Sequence, residues 1–177
     1  ENGAFGLEVF NDDFDPWGMN VTAFKEKLGE FKLLSPDKAK EFLYLDNEIP
    51  SVHIIEDGDV QTIIEAVFGY KNSFAIVKYI LGENGELKID VRVNWGEKQR
   101  MLRLNIPTTL KDSVYVGEQP YGEEQLIDDF EENVSQKFIY VSDDSDTLAA
   151  INNGIYASCF DSKTGNLKYT LLRSASY

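Results

Sequence analysis

Histidine and cysteine are scarce in this sequence of 177 residues, which contains one of each. Because Cys159 is the single cysteine, an intramolecular disulfide and a zinc site built from cysteines are excluded, and a reduced compartment fits best. The single His53 excludes a catalytic zinc site rich in histidine. It lies inside the alternating run 52–55, where a structural or surface imidazole is favoured over a catalytic one.

Long apolar runs are missing, and basic residues are few. No stretch approaches the roughly 18 apolar residues of a membrane span, and residues 1–6 lack the basic and apolar regions of a signal peptide. Acidic residues outnumber basic ones by 31 to 17, and the resulting net charge of −14 repels phosphate backbones and anionic lipids. We therefore expect no nucleic-acid partner, no membrane partner and a cytoplasmic location, in which the acidity favours solubility.

Helical periodicity is scarce as well. One short helix is predicted from Val21 to Leu28 behind a cap at Asn20, and a brief helical turn is predicted to open at Ser35-Pro36. Neither segment is long enough to form a layer. The acidic run 123–132 contains little apolar material and predicts an exposed loop.

Period-two alternation dominates the sequence and predicts strands. It is clearest from Leu87 through Trp95, and it resumes at residues 102–106 after a turn at 96–99, so these two strands are predicted to form a hairpin that Pro107 ends. Further strands are predicted over residues 5–10, 51–56, 60–68, 73–81, 113–116, 137–142, 148–152, 156–161 and 166–172. Many short strands separated by glycine turns predict one domain over residues 1–177, an antiparallel all-β sandwich.

The residues alone give little evidence for a catalytic, metal or sugar-binding site. Carboxylates are plentiful, but abundance does not establish the paired placement that a glycosidase needs. The acidic clusters at 12–15 and 143–146 suggest a calcium loop, yet neither has the EF-hand spacing, and solvated turn carboxylates explain them more simply. Rings that can stack on sugars belong to Trp17, Trp95, Tyr121 and Tyr140. Trp95 fits a core better, and for the loop residues Trp17 and Tyr121 both surface recognition and local packing stay open.

Six segments of the second half carry an ordered set of motifs. Residues 91–98 read Val-Arg-Val-Asn-Trp-Gly-Glu-Lys, residues 102–107 read Leu-Arg-Leu-Asn-Ile-Pro, residues 120–122 read Pro-Tyr-Gly, and residues 136–143 read Gln-Lys-Phe-Ile-Tyr-Val-Ser-Asp. Residues 150–156 read Ala-Ile-Asn-Asn-Gly-Ile-Tyr, and residues 165–174 read Gly-Asn-Leu-Lys-Tyr-Thr-Leu-Leu-Arg-Ser. In order and spacing they resemble the C-terminal β region of family 38 glycoside hydrolases, the α-mannosidases. The last two segments are similar to that family's Leu-Asn-Asp-x-x-Tyr-Gly and Leu-x-Leu-x-Leu-Leu-Arg-Ser.

The resemblance is strong over residues 87–177, and residues 1–82 are compatible with it. Asp-Pro-Trp-Gly-Met at 15–19 resembles bacterial members. The resemblance implies a sandwich of the large mutarotase-like type, or supersandwich, excised from the C-terminal half of a larger glycosidase. A domain cut from such a partner is expected to expose a large apolar surface, which leaves homo-oligomerisation open.

The activity that the resemblance implies belongs to a parent enzyme. Family members hydrolyse terminal α-mannosyl linkages with retention, using a zinc ion and an Asp nucleophile in an N-terminal barrel. This sequence has no counterpart of those motifs, so no catalytic and no metal residue is assigned, and the chain alone is expected to be inactive and to bind no cofactor. Its expected partners are the barrel of the same polypeptide, which it supports, and α-mannoside glycans.

Two residues are candidates for contact with substrate. The resemblance implies that Arg173, the Arg of Leu-Leu-Arg-Ser, lies near the sugar site, where it binds hydroxyls or orients a carboxylate; an interdomain ion pair is the alternative. Tyr121 belongs to the aromatic-Gly element. Glu123-Glu124-Gln125 stands where the family often has an Arg, which departs from its pattern.

Two rival functions stay open beside this one. A free-standing carbohydrate-binding module would use the loop aromatics Trp17 and Tyr121. An independent enzyme of the mutarotase fold is disfavoured because such enzymes need more than one histidine.

Overall fold

A computed structural model of the protein describes residues 5–12 and 20–175, and these residues form an almost entirely β structure with antiparallel strand pairs. The elements are β1 Gly6–Asn11, β2 Lys27–Glu30, β3 Lys32–Leu33, α1 Pro36–Leu43, β4 Val52–Asp57, β5 Gln61–Tyr70, β6 Ser73–Gly82, β7 Leu87–Asn94, β8 Arg100–Pro107, β9 Val114–Gln119, β10 Gly122–Gln125, β11 Asn133–Val134, β12 Phe138–Ser142, β13 Thr147–Ile151, β14 Ala157–Asp161 and β15 Asn166–Ser174. The predicted antiparallel all-β fold is thereby confirmed. Trp17, Asp13 and the segment 15–19 lie outside the described residues.

Contacts divide the chain into two compact units, and the first contains residues 1–30 and 98–177. It has a six-stranded sheet in the order β11-β14-β15-β8-β1-β2 and a four-stranded sheet in the order β10-β9-β12-β13. The sheets pack face to face: the ring centroids of Tyr115 and Phe160 lie 5.5 Å apart, and the Tyr115 and Ser158 hydroxyl oxygens lie 2.6 Å apart. Apolar residues that alternate along the strands fill the space between the sheets, as in other sandwiches.

The second unit contains residues 31–97. Its five-stranded sheet has the order β3-β5-β6-β7, and β4 pairs with the edge of β5 that also carries β3. Helix α1 packs on this sheet through Phe42, whose ring centroid lies 5.5 Å from that of Phe74. Trp95 stacks on Phe31 with a centroid distance of 6.4 Å, which agrees with its predicted packing role. Because contacts define two units, the single domain over 1–177 stays a prediction.

The predicted hairpin between Leu87–Trp95 and residues 102–106 is wrong. Strand β7 pairs with β6, whereas β8 lies between β1 and β15 in the other unit. The sequence between the strands explains this, because Gly96 donates its N–H to the Ser73 hydroxyl and Glu97 accepts from the Asn72 N–H. These bonds tie residues 96–97 to the β5–β6 turn instead of allowing a reversal.

The predicted helix over Val21–Leu28 is also wrong. Residues 20–26 form no regular element, and Lys27–Glu30 pair with β1 as an edge strand. The segment instead packs its apolar side chains, including Phe24, on Phe10 and Met101 of the six-stranded sheet. Tertiary burial of these side chains, together with the open edge of β1, outweighs a weak helical pattern.

The predicted turn at Ser35-Pro36 does open a helix. Ser35 occupies the N-cap position, Pro36 stands at the first helical position, and Tyr44 ends the helix in the left-handed conformation with φ 54°. The helix has 8 residues, and no helix in the described part of the chain is long and apolar enough to cross a membrane.

The exposed loop predicted over 123–132 is only partly correct. Its first residues belong to strand β10, which pairs with β9 through Glu123 and Glu124. At its other end, Glu132 is largely buried and binds Arg103. The acidic pattern predicted exposure for the whole run. Its first end is instead fixed by pairing with β9, and its second end by the ion pair with the buried Arg103.

Candidate substrate-rim site

Arg173 lies near the end of β15 and forms a bidentate ion pair with Asp12, which we call the Arg173 fork. Its Nε donates to Asp12 Oδ2 at 2.9 Å, and its Nη2 donates to Asp12 Oδ1 at 2.6 Å. The Asp12 side chain is fully buried, whereas 29% of the Arg173 side chain is exposed. The guanidinium also covers the Phe24 ring, with 4.7 Å between its carbon and the ring centroid. A bidentate pair and a ring contact fix the orientation of the guanidinium.

A β-bulge decides which face of the sheet carries Arg173. Thr170 lies opposite Arg103, but the register then shifts, so that Arg173 lies opposite Met101. Met101 and Arg103 point to the outer face of the six-stranded sheet, away from the four-stranded sheet. Without the extra residue in β15, strict alternation would direct Arg173 into the apolar core. Bulges often redirect a side chain in this way.

Buried charges continue along the same outer face. Arg103 is completely buried and contacts three groups: it binds the Glu132 carboxylate, donates from Nη1 to the Phe24 carbonyl at 2.9 Å and donates from Nε to the Thr170 hydroxyl at 3.2 Å. Each polar group of the cation therefore meets a partner that offsets its loss of water. The pattern of alternating residues did not predict this layer, because it lies on the face that a simple sandwich would leave to solvent.

Lys168 extends the layer toward β1. Its Nζ binds the Glu8 carboxylate and donates to Asn105 Oδ1 at 2.8 Å, and it lies 5.7 Å from the Phe10 ring centroid. Burial raises the pKa of Glu8, but hydrogen bonds from Lys168 and Lys27 outweigh burial, so the pKa lies below its ordinary value of 4.5. The buried charged side chains of Glu8, Arg103 and Lys168 form a layer that links the neighbouring strands β1, β8 and β15. Arg173 lies on the same face of this sheet.

A cleft of about 150 Å³ opens beside the Arg173 pair. Asn11, Asp12, Val21, Ala23, Phe24, Lys25 and Glu26 line it. The volume of this cleft is below the roughly 300–1,000 Å³ of a pocket that encloses a whole ligand. A cleft of this size does not by itself enclose a whole sugar ligand.

Tyr121 lies at the tip of the β9–β10 hairpin, where Gln119 pairs with Gly122 and two residues form the turn. Its ring is fully exposed, and its φ of 73° is uncommon for a residue with a bulky side chain. The surface role considered for the Pro-Tyr-Gly turn requires such exposure, and that role stays a prediction. Arg173 and Tyr121 lie on different sheets, so the structure does not bring the two candidate residues into one small pocket.

The other candidates from the sequence have structural partners. His53 Nε2 lies 3.4 Å from Glu65 Oε1 on the neighbouring strand. The Asp143 carboxylate accepts from the Ser145 and Asp146 N–H groups, each at 2.8 Å, and these bonds hold its pKa below the ordinary value. This geometry is that of a turn carboxylate, the simpler of the two interpretations.

The residues that the structure describes do not fit a zinc site. In the ranges 5–12 and 20–175, no group of three or more His, Cys, Asp and Glu side chains is arranged to hold a metal ion. Cys159 is buried, and burial raises its pKa to about 11, so its sulfur is not a ready thiolate ligand. No step of a reaction can therefore be assigned to zinc bound by these residues.

Together, these features define a class of protein: an antiparallel all-β domain with a fixed arginine fork beside a small cleft. Residues 16–177 match the family described as glycosyl hydrolases family 38 C-terminal domain, and the chain belongs to this family. The match confirms the resemblance seen at 87–177 and extends it through the less distinctive first half. No curated protein matches the chain. Family membership places the chain in a family 38 glycoside hydrolase with an N-terminal catalytic region in the same polypeptide.

Proposed function

We propose that this chain is the C-terminal β domain of a zinc-dependent, retaining α-mannosidase. In this proposal the N-terminal region contains the barrel, the zinc ion and the Asp nucleophile, and it hydrolyses terminal α-mannosyl linkages. The chain itself supports the barrel, contributes to the rim of the substrate site and is inactive alone. Membership of the family 38 C-terminal domains supports the enzyme class.

The observation that carries the rim assignment is the Arg173–Asp12 fork. Its carboxylate is fully buried, whereas 29% of the Arg173 side chain is exposed. Asp12 and Phe24, which Arg173 contacts, line the cleft. A guanidinium held in this way presents donors with fixed directions, and sugar hydroxyls accept such hydrogen bonds. Asp12 positions the group, and Arg173 is the residue proposed to contact the substrate.

Apolar side chains exposed in the second unit support the docking role. They are Leu33, Tyr44, Leu45, Val52, Ile54, Ile55, Val60, Ile64, Leu81 and Leu87. Ile54 and Ile64 lie opposite each other on β4 and β5, and contiguous exposed apolar side chains are typical of surfaces that pack on a partner. We assign the barrel of the same polypeptide as that partner. The alternative partner is a second copy of this chain.

Kinetics of Arg173 variants in the polypeptide that joins this domain to its catalytic region test the rim assignment. Loss of one hydrogen bond from a charged donor costs about 1.5–3 kcal/mol, so we expect Arg173→Lys to lower kcat/KM for a nitrophenyl α-mannoside by about 10-fold or more. Arg92→Ala, which removes an exposed arginine of the second unit, is the matched control and should leave kcat/KM unchanged. An Arg173→Lys enzyme with a lower Tm and unchanged kcat/KM would assign the fork to structure alone.

One observation favours the alternative of a free-standing carbohydrate-binding module: the fully exposed Tyr121 ring at a hairpin tip. That function requires the isolated chain to bind mannose oligosaccharides through this ring. Calorimetric titration of the chain with and without Tyr121→Ala decides between them. Binding that Tyr121→Ala abolishes would support the module, whereas a rim residue of a composite site contributes no heat without the barrel, so the two titrations would then be equal.

A further inference from the structure

The outer face of the four-stranded sheet carries a pair of aromatic rings that the proposed function does not use. Along β9 and β12, Tyr115, Ile139 and Val141 point into the sandwich and are buried, so the residues between them point outward. We call this outward surface the ring face. It consists of Val116, Glu118, Glu123, Phe138, Tyr140 and Ile151.

The Tyr140 ring lies along the sheet. Its hydroxyl donates to Glu123 Oε1 at 3.2 Å, although Glu123 is on β10, two strands away. Neighbouring strands are separated by about 4.8 Å, so the side chain must cross β9 to reach this partner. Val116 of β9 lies opposite Tyr140 and faces outward, yet only 6% of it is exposed. The Tyr140 side chain therefore lies across β9 over Val116, and it stays partly exposed.

Phe138 continues this surface along β12. Its ring centroid lies 6.5 Å from that of Tyr140, and the two ring planes differ by 18°. The two rings are stacked and both are partly exposed, so together they form one apolar platform on this face. Ile151 lies opposite Phe138 on β13 and is 80% exposed, which widens the platform.

Carboxylates border the platform. Glu123 holds the Tyr140 hydroxyl, and Glu118 accepts from the Lys137 N–H at 2.7 Å, so both groups are anchored beside the rings. Ionised carboxylates accept hydrogen bonds but donate none. They repel anions, and they suit a ligand that is rich in hydroxyl donors.

We propose that the ring face binds a neutral oligosaccharide. A pyranose offers both complements at once: its C–H face packs on the rings of Phe138 and Tyr140, and its hydroxyls donate to Glu118 and Glu123. The chain's glycoside hydrolase family makes glycans available as ligands. This surface lies on a different sheet from Arg173, and the proposal does not depend on the rim role of that residue.

The test is an NMR titration of the complete 177-residue chain, labelled at the methyl groups of Val, Leu and Ile. The probe is an α-linked mannotriose. We expect saturable shifts of the Val116 and Ile151 methyls with a Kd on the order of millimolar, a range in which binding free energy is near −4 kcal/mol. The methyls of Leu81 and Leu87 in the second unit should not shift.

Variants identify the groups responsible. We expect Tyr140→Ala and Phe138→Ala each to weaken binding by fivefold or more, whereas Tyr140→Phe keeps the ring and retains most of the affinity. Glu123→Gln replaces an exposed side chain with a similar shape and should weaken binding without unfolding the sheet. Tyr44→Ala, which removes an exposed ring from the second unit, is the control and should have no effect.

Absence of saturable shifts at the ring face, or binding unchanged in both Tyr140→Ala and Glu123→Gln, would overturn the proposal. A hexalysine peptide that shifts the same methyls, when the trisaccharide does not, would overturn it in favour of a basic protein partner. Since the readout is binding by the chain itself, a failure here is distinct from loss of α-mannosidase activity in Arg173 variants.

Discussion

Buried charges on the outer face of the six-stranded sheet distinguish this domain at the residue scale. Arg103 has no exposed surface, and Lys168 and Asp12 are nearly as buried. Burial of a charge is unfavourable unless partners replace its hydration, and each of these groups has a partner of opposite charge. The layer therefore fixes the positions of strands β1, β8 and β15, on which the Arg173 fork depends.

Removal of one member of the Arg103–Glu132 pair should be far more harmful than removal of both. Arg103→Met leaves the Glu132 carboxylate without its cation, and we expect a loss of about 3–5 kcal/mol in the free energy of unfolding. The double variant Arg103→Met/Glu132→Leu should recover most of that loss. Urea unfolding of the three proteins measures both effects, and a double variant as unstable as the single one would contradict this account of the pair.

The lowered pKa of Glu8 makes the free energy of unfolding depend on pH in the acidic range. Because the folded pKa lies below 4.5, the ion pair stabilises the protein above pH 4.5, and that contribution is lost as the pH falls through the folded value. We expect Glu8→Gln to lower the free energy of unfolding at pH 7 and to flatten its decline below pH 4.5. Unfolding curves from pH 7 to pH 3 provide the measurement; equal slopes in both proteins would show that Glu8 does not contribute.

Sequence patterns predicted little of this layer. The resemblance singled out Arg173, but its partner Asp12 was grouped with neighbouring acids as a possible calcium loop. The two residues are separated by 161 positions, and the register of three strands brings them together. The run Thr170-Leu171-Leu172 gives no local signal for a bulge, so the face of Arg173 could not be read from alternation.

Turns determine much of the architecture at the element scale. The β14–β15 turn contains Gly165, with φ 73°, whose N–H donates to the Asp161 carbonyl at 2.8 Å. A side chain at this position would lie 2.6 Å from the Thr108 carbonyl oxygen. The turn therefore requires glycine for both its backbone conformation and its close approach to the end of β8.

Gly165→Ala should destabilise the first unit. Positive φ and a clash with backbone act together, and we expect a loss of about 2 kcal/mol or more in the free energy of unfolding. Gly122→Ala is the matched control, because Gly122 has ordinary φ and no atom within 4 Å of the added carbon. Thermal unfolding of the two variants should separate them clearly; equal Tm values would refute the role assigned to Gly165.

Alternation located strands better than it located their partners. Strand β7 was predicted as Leu87–Trp95 and is observed as Leu87–Asn94, but its neighbour is β6. The spacing of apolar side chains depends on the local backbone, whereas pairing depends on turns and distant contacts. Short edge strands such as Lys32–Leu33 have too few residues to show a period and were missed.

At the scale of the whole molecule, family membership and surface properties point to a domain that works beside another. The chain has an arginine fork at a small cleft, and the residues that the structure describes do not form a metal site. The family match covers residues 16–177. Composition alone excluded several classes of site, but the resemblance was needed to connect the fold with a glycosidase.

The most direct measurement compares release of nitrophenol from nitrophenyl α-mannoside by two proteins in the presence of zinc. One is the 177-residue chain, and the other joins it to its N-terminal catalytic region. We expect turnover by the longer protein alone, with loss of activity on chelation of zinc. Turnover by the 177-residue chain, or no α-mannoside hydrolysis by the longer protein, would contradict the proposed division of function.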